Sequence, residues 1–151
     1  MEEINEDLKF KISVKTLAAI VAGVATLIGA WYAFDASIDA RIEEKVNAMK
    51  PDNVIDIGCG YNEFKGKIKN LVGIDPYNDR ADISVHTLDY KPDVEYDVAI
   101  CLGSINFGSS DKILGELENV VGMVKSGGFL YFRVNPGIQH DKPAAKWINF
   151  Y

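Results

Sequence analysis

At 151 residues, the chain has room for one ordinary domain and an appendage. Its formal net charge is -6, from 16 Lys+Arg against 22 Asp+Glu, and the acidic excess persists beyond residue 50; with no basic stripe, this argues against a nucleic-acid-binding face. The two cysteines, Cys59 and Cys101, suit reduced thiols rather than a disulfide framework, and His86 and His140 are isolated, so no metal-ligand spacing exists.

Residues 1–15 form a polar segment with Lys9, Lys11 and Lys15. Residues 16–34 carry no charge, and about 20 apolar residues suffice to cross a bilayer as a helix. Trp31 and Tyr32 stand at one end, where interfacial aromatics are expected. Ala18, Ala22, Ala25 and Gly29 form a small-residue stripe, and Ala19 with Gly23 adds a second pair; such faces let membrane helices pack closely. The expectation is a retained transmembrane helix that could also support a homo-oligomer. A signal peptide needs a small-x-small cleavage site, but aromatics and Asp35 occupy the key places around Trp31 to Ser37. Arg41, Lys45 and Lys50 beyond the span balance the three lysines before it, so charge alone sets no orientation.

Residues 35–51 read as an amphipathic helix or linker. Ile38, Ile42, Val46 and Met49 share one face, with Asp39, Arg41, Glu43 and Glu44 elsewhere. Pro51 ends it. A stalk, a short coiled coil and a helix covering a sheet all fit this pattern.

Residues 52–151 read as an α/β domain. Val54 to Ile57 is a short buried strand that runs into a glycine turn at Gly58 and Gly60. Leu71 to Ile74 is a second strand, with the carboxylate of Asp75 at its end and Pro76 after it. Between Gly60 and Leu71 there is room for a helix of about two to three turns, with Phe64 and Ile68 on its core side. A third strand is expected over about 83–88, a fourth over 96–102 and a fifth after Ser126-Gly127-Gly128, over 129–134. Before the fifth, a helix is capped by Ser109 or Ser110 and ended by Gly127. Its apolar positions are Ile113, Leu114, Leu117, Val120, Val121 and Val124. Asp97 is expected to cap the start of the fourth strand. The fold class is a Rossmann-like α/β fold: a mostly parallel sheet of about five strands, preceded by a long N-terminal helix.

In open α/β sheets, ligands bind beyond the carboxyl ends of the strands. Gly58 and Gly60 allow close backbone approach, and Asp75 is placed to accept hydrogen bonds from ribose hydroxyls. A dinucleotide fingerprint would need glycine where Glu63 stands, and a carboxylate there sits badly beside a pyrophosphate. Asp56, two residues before the first glycine, suits a ligand with a cationic end.

The segment from Asp56 to Asn62 resembles motif I of the class I S-adenosylmethionine-dependent methyltransferases, with Asn62 where the family has its last glycine. Asn tolerates a left-handed backbone, so the turn can survive. The resemblance extends over roughly Asp52 to Pro136 and implies S-adenosylmethionine as cofactor. It implies that Asp56, Gly58, Cys59, Gly60 and Asn62 form the cofactor turn, and that Asp75 with Pro76 meets the ribose. Asp89, with Leu88 and Tyr90, would sit by the adenine, and Leu102 and Gly103 end the central strand. Ser104 and Asn106 would face the methyl acceptor. No catalytic base is named, and no metal is implied. The residues after the fourth strand lack the Asn/Asp-Pro-Pro-aromatic motif of nucleobase amino-methyltransferases, so DNA methylation is disfavoured. The family adds a helix and two further strands beyond the fifth, so that strand reads as an edge on which a second copy of the chain could pair. The implied function is a membrane-anchored methyltransferase acting on a small molecule or a protein. Its C-terminal domain would be cytoplasmic, where S-adenosylmethionine is made. The alternative is a non-catalytic, membrane-anchored binding or interaction module derived from the same fold.

Overall fold

The computed structural model describes residues 13–105 and 108–133. Its elements are α1 (Val14–Met49), β1 (Val54–Ile57), β2 (Leu71–Ile74), β3 (Tyr96–Leu102), α2 (Ser110–Met123) and β4 (Val124–Arg133). Two compact units divide between Ala40 and Arg41.

In the first unit, Ser13 caps α1, its hydroxyl accepting from the Thr16 backbone N–H at 3.1 Å. The large apolar side chains from Val14 to Phe34 are mostly half or more exposed, and the helix is long and apolar enough to cross a membrane. Thr26 and Ser37 donate their hydroxyl protons to the carbonyls of Ala22 and Phe34, so both hydroxyls are satisfied inside the helix. Residues 16–34 and the amphipathic stretch after them form one continuous helix.

In the second unit, Ile42 and Val46 of α1 are buried, and Asn47 donates its side-chain amide to the Lys67 carbonyl at 2.9 Å. The burial of Ile42 and Val46 excludes a free stalk over these residues. The helix stops at Met49, before Pro51, with Lys50 in the left-handed region at φ 52°.

The sheet is parallel throughout, in the order β2-β1-β3-β4. β1 is buried along its whole length, as its unbroken apolar pattern requires. The core gathers Ile55, Ile57, Ile74, Ala99 and Cys101 from the sheet with Ile113 and Val120 from α2.

Three expectations need correction. The described residues form a four-stranded sheet, not one of about five strands. The stretch expected as a third strand keeps only an isolated bridge, Ile74 to Ile83, and turns at Thr87 to Asp89. Ser84 and His86 are exposed there and Val85 is only half-buried, so the stretch lacks a face to bury.

No helix forms between Gly60 and Leu71; turns do. Asn62, Gly66 and Asn70 all adopt positive φ, 58°, 80° and 57°, and each interrupts a right-handed helix. Phe64 and Ile68 are nonetheless buried, as expected.

α2 ends at Met123, earlier than Gly127, and buries Ile113, Glu116, Val120 and Met123. Leu114 and Val121, expected on the apolar face, are exposed. The Ser109 cap is as expected, accepting from the Lys112 N–H at 3.3 Å. β4 then begins directly at Val124, and a bulge opposite Asp97 holds Gly127 at φ 81°.

Candidate functional site

The chain leaves β1 for β2 on one side and later returns to place β3 on the other. The carboxyl ends of β1 and β3 are therefore the topological switch point, where a sheet of this kind opens a crevice. A cavity of about 350 Å³ lies there.

Its floor is the turn after β1. The backbone N–H groups of Gly58 and Cys59 both donate to the Ile74 carbonyl, at 2.8 and 3.1 Å, folding the turn over the end of β2. Gly58 and Gly60 stand at φ 65° and 52°. A Cβ on Gly58 would lie 2.1 Å from the Ser104 Cβ, so both the backbone angle and the close approach demand glycine. Ser104 pins the end of β3 to β1 by donating its hydroxyl proton to the Ile57 carbonyl at 2.7 Å.

Asp75 joins this turn to the loop after β2. One carboxylate oxygen accepts from Gly60 N at 3.1 Å; the other accepts from Tyr77 N at 2.8 Å and Asn78 N at 3.1 Å. A carboxylate has about four lone-pair sites. Three are thus taken by the protein's own backbone, and one remains for a ligand.

Of the residues singled out from the sequence, Gly58, Asp75, Pro76, Leu102, Gly103 and Ser104 line the cavity. Asp56, Cys59, Gly60 and Asn62 are not in its lining, and Asp56 is buried in β1 opposite Gly73 and Ile100. Asn62 adopts the left-handed conformation its position requires, and its amide ties the turn to the loop after β2 by donating to the Arg80 carbonyl at 2.9 Å. Asp89 is an exposed turn residue outside the cavity lining, and Asn106 lies outside the described residues. Asp97 lies inside β3 and does not cap its own strand; it accepts from the Asp52 and Asn53 N–H groups just before β1, at 2.8 and 2.9 Å, at the opposite end of the sheet.

Burial, with Asp56, Asp75 and Asp82 nearby, pushes the Cys59 thiol up to about 12, and burial pushes Cys101 up to about 11. Both are neutral thiols at physiological pH and poor nucleophiles.

Sequence reasoning missed the far wall, where His86, Thr87, Lys112 and Glu116 line the cavity. Burial raises the Glu116 carboxyl above its ordinary value, with Lys112 and His86 partly opposing. A signal was present: Glu116 falls on the same helical stripe as Ile113, Val120 and Met123.

No protein-family model and no curated protein matches the sequence. Solved structures do match. The S-adenosylmethionine-bound amino pentose methyltransferase CalS10 from Micromonospora echinaspora aligns at TM-score 0.51 and 16% identity, over 69% of this chain and 54% of its own. DesVI of Streptomyces venezuelae aligns at TM-score 0.51 and 17% identity, over 80% of this chain and 57% of its own. The fold is that of the S-adenosylmethionine-dependent methyltransferases. The chain spans little more than half the length of these two structures. The cavity lies at the carboxyl ends of the strands, and Gly58 and Asp75 line it.

Proposed function

We propose that this chain binds S-adenosylmethionine at the switch-point cavity and transfers its methyl group to a small-molecule or protein acceptor, tethered to a membrane by residues 16–34. The observation that carries this reading is the pairing of a left-handed glycine turn after β1 with Asp75 after β2, at one crevice. Gly58 must lack a side chain because Ser104 packs against it, and that contact sets the turn at the edge of the cavity. When bound, the cofactor would supply an electrophilic methyl on a sulfonium.

The chain's own residues bind and orient. Asp75 offers its remaining lone pair to a ribose hydroxyl. The carboxyl of Asp56, buried in β1 ahead of the glycine turn, would complement the cationic end of the cofactor. Pro76 and Leu102 supply apolar wall. Ser104 spends its proton on Ile57, so toward an acceptor it can only accept a hydrogen bond. Proximity and alignment supply most of the rate in a displacement of this kind. The neutral thiols and the committed Ser104 favour a second reading as well, a binding module without turnover.

Calorimetric titration of the full chain with S-adenosylmethionine and S-adenosylhomocysteine tests the site. Wild type should bind both. Asp75→Ala should weaken binding by about 1.5–3 kcal/mol, the worth of a charge-assisted hydrogen bond. Absence of binding by wild type, or an Asp75→Ala affinity within about twofold, would refute the assignment. Binding without methyl transfer to any acceptor supports the second reading. A domain that uses this cofactor belongs on the cytoplasmic side of the membrane, where the cofactor is made.

A further inference from the structure

Glu116 is an unusual residue for its position. It lies in the second turn of α2, on the stripe that α2 buries, and its side chain is 9% exposed. A carboxylate taken out of water needs strong compensation from donors. Its partner is Lys112 Nζ at 3.6 Å, a long contact to a side chain 43% exposed. A helix-surface pair of that kind stabilises by only a few tenths of a kcal/mol. The carboxyl therefore has spare acceptor capacity, and it lines the same cavity as Asp75.

These two are the carboxylates lining that cavity among the described residues. They divide the work by availability. Asp75 is nearly saturated by backbone N–H groups and offers one lone pair. Among the described residues, Glu116 is tied to no backbone donor. The acid expected to meet the base, Asp89, sits in an exposed turn because the third strand does not form. The wall it would have supplied is instead built by His86, Thr87 and α2.

We propose that Glu116 reads the base of the bound nucleoside, accepting a hydrogen bond from an exocyclic amino group such as that of adenine. This rests on the cofactor reading above and names the specificity residue of the same site. A carboxylate can only accept, so a base with an oxo group at that position meets two acceptors face to face and is rejected. A site built around one hydrogen bond discriminates strongly against the analogue that lacks it, because the protein group is left unpaired.

The test is a ratio of affinities, which a merely structural role would not move. Full-length wild type is titrated with S-adenosylhomocysteine and with S-inosylhomocysteine, in which oxygen replaces the amino nitrogen. Wild type should prefer the adenosyl compound by about tenfold or more. Glu116→Gln, whose amide can donate as well as accept, should narrow that preference to about threefold or less, or invert it. Lys112→Met keeps the carboxylate and removes its present partner; it should retain the preference, and it serves if Glu116→Gln does not fold. Equal wild-type affinities, an unchanged ratio in Glu116→Gln, or a lost preference in Lys112→Met would each overturn the proposal. Failure of wild type to bind either compound would instead overturn the cofactor reading, and the proposal with it.

Discussion

Glu116 sits where burial penalises its ionised form, and this has a measurable consequence. Burial is the largest cause of its raised carboxyl. A folded-state pKa above the unfolded value means that the native chain holds the proton more tightly than the unfolded one. The ionised form therefore costs stability above the folded pKa. That cost fades as pH falls through the folded pKa and is gone below the ordinary Glu value of about 4.3. Glu116→Gln should be more stable than wild type at neutral pH, by a few degrees in Tm, with the gap closing as pH falls toward 4. Thermal melts of both proteins across that range measure it; a variant less stable at pH 7 would contradict the account. Other carboxylates titrate in both proteins, so the difference isolates this one. The residue was hard to find in the sequence because α2 has more apolar residues than it buries. Leu114 and Val121 drew the predicted face toward themselves, yet both are exposed. Gly58, Asp75 and Ser104 were legible because each stands directly at the end of an apolar run, where a buried strand must leave the sheet and turn.

At the level of elements, the segments after β1 and β2 are coils held by side chains where a larger domain would use a helix and a strand. Asp82 is the main clamp. It accepts from the Gly73 backbone N–H at 2.8 Å and the Asn62 amide at 3.4 Å, and pairs with Lys65 at 2.7 Å. Burial alone would raise its carboxyl, but the Gly73 N–H, Lys65 and Asn62 outweigh it and hold it below the ordinary value. A depressed pKa gives stability that is present above the ordinary Asp value, about 3.9, and is lost as pH falls through the lower folded value. Asp82→Ala leaves the buried Gly73 N–H without its acceptor and should cost about 1.5–3 kcal/mol. Chemical denaturation at pH 7 checks this, and the deficit should shrink below pH 4; a cost under about 0.5 kcal/mol would show that the clamp is redundant. The four strands and α2 were readable from apolar runs and a Ser cap. The coils were not, because Phe64 and Ile68 keep helical spacing while Gly66 and Asn70 break the helix between and after them. Clamps such as Asp82 to Gly73 are long-range pairings that no local pattern encodes.

For the whole molecule, the decisive question is what covers the apolar surface of residues 16–34. The side chains from Leu17 to Tyr32 project large apolar groups that are half or more exposed, and the acidic, well-packed unit from Arg41 onward buries its own core separately. An exposed apolar stretch of this length is far larger than the patches that soluble monomers tolerate. Lipid is the occupant whose chemistry matches all faces of the helix at once, whereas a protein partner would need only one. The two cases separate under a double substitution at mid-span. Val24→Arg with Leu27→Arg adds about 5–7 kcal/mol to the free energy of inserting the helix at the bilayer centre. Wild type expressed in cells should stay in the membrane pellet after an alkaline carbonate wash, and the double variant should pass to the supernatant. The soluble variant should bind S-adenosylhomocysteine as wild type does in detergent, because the cavity is built entirely from residues after Arg41. Release of wild type by carbonate would mean that a protein, not a bilayer, covers the helix. Retained anchoring together with lost binding in the double variant would mean that the helix does more than tether.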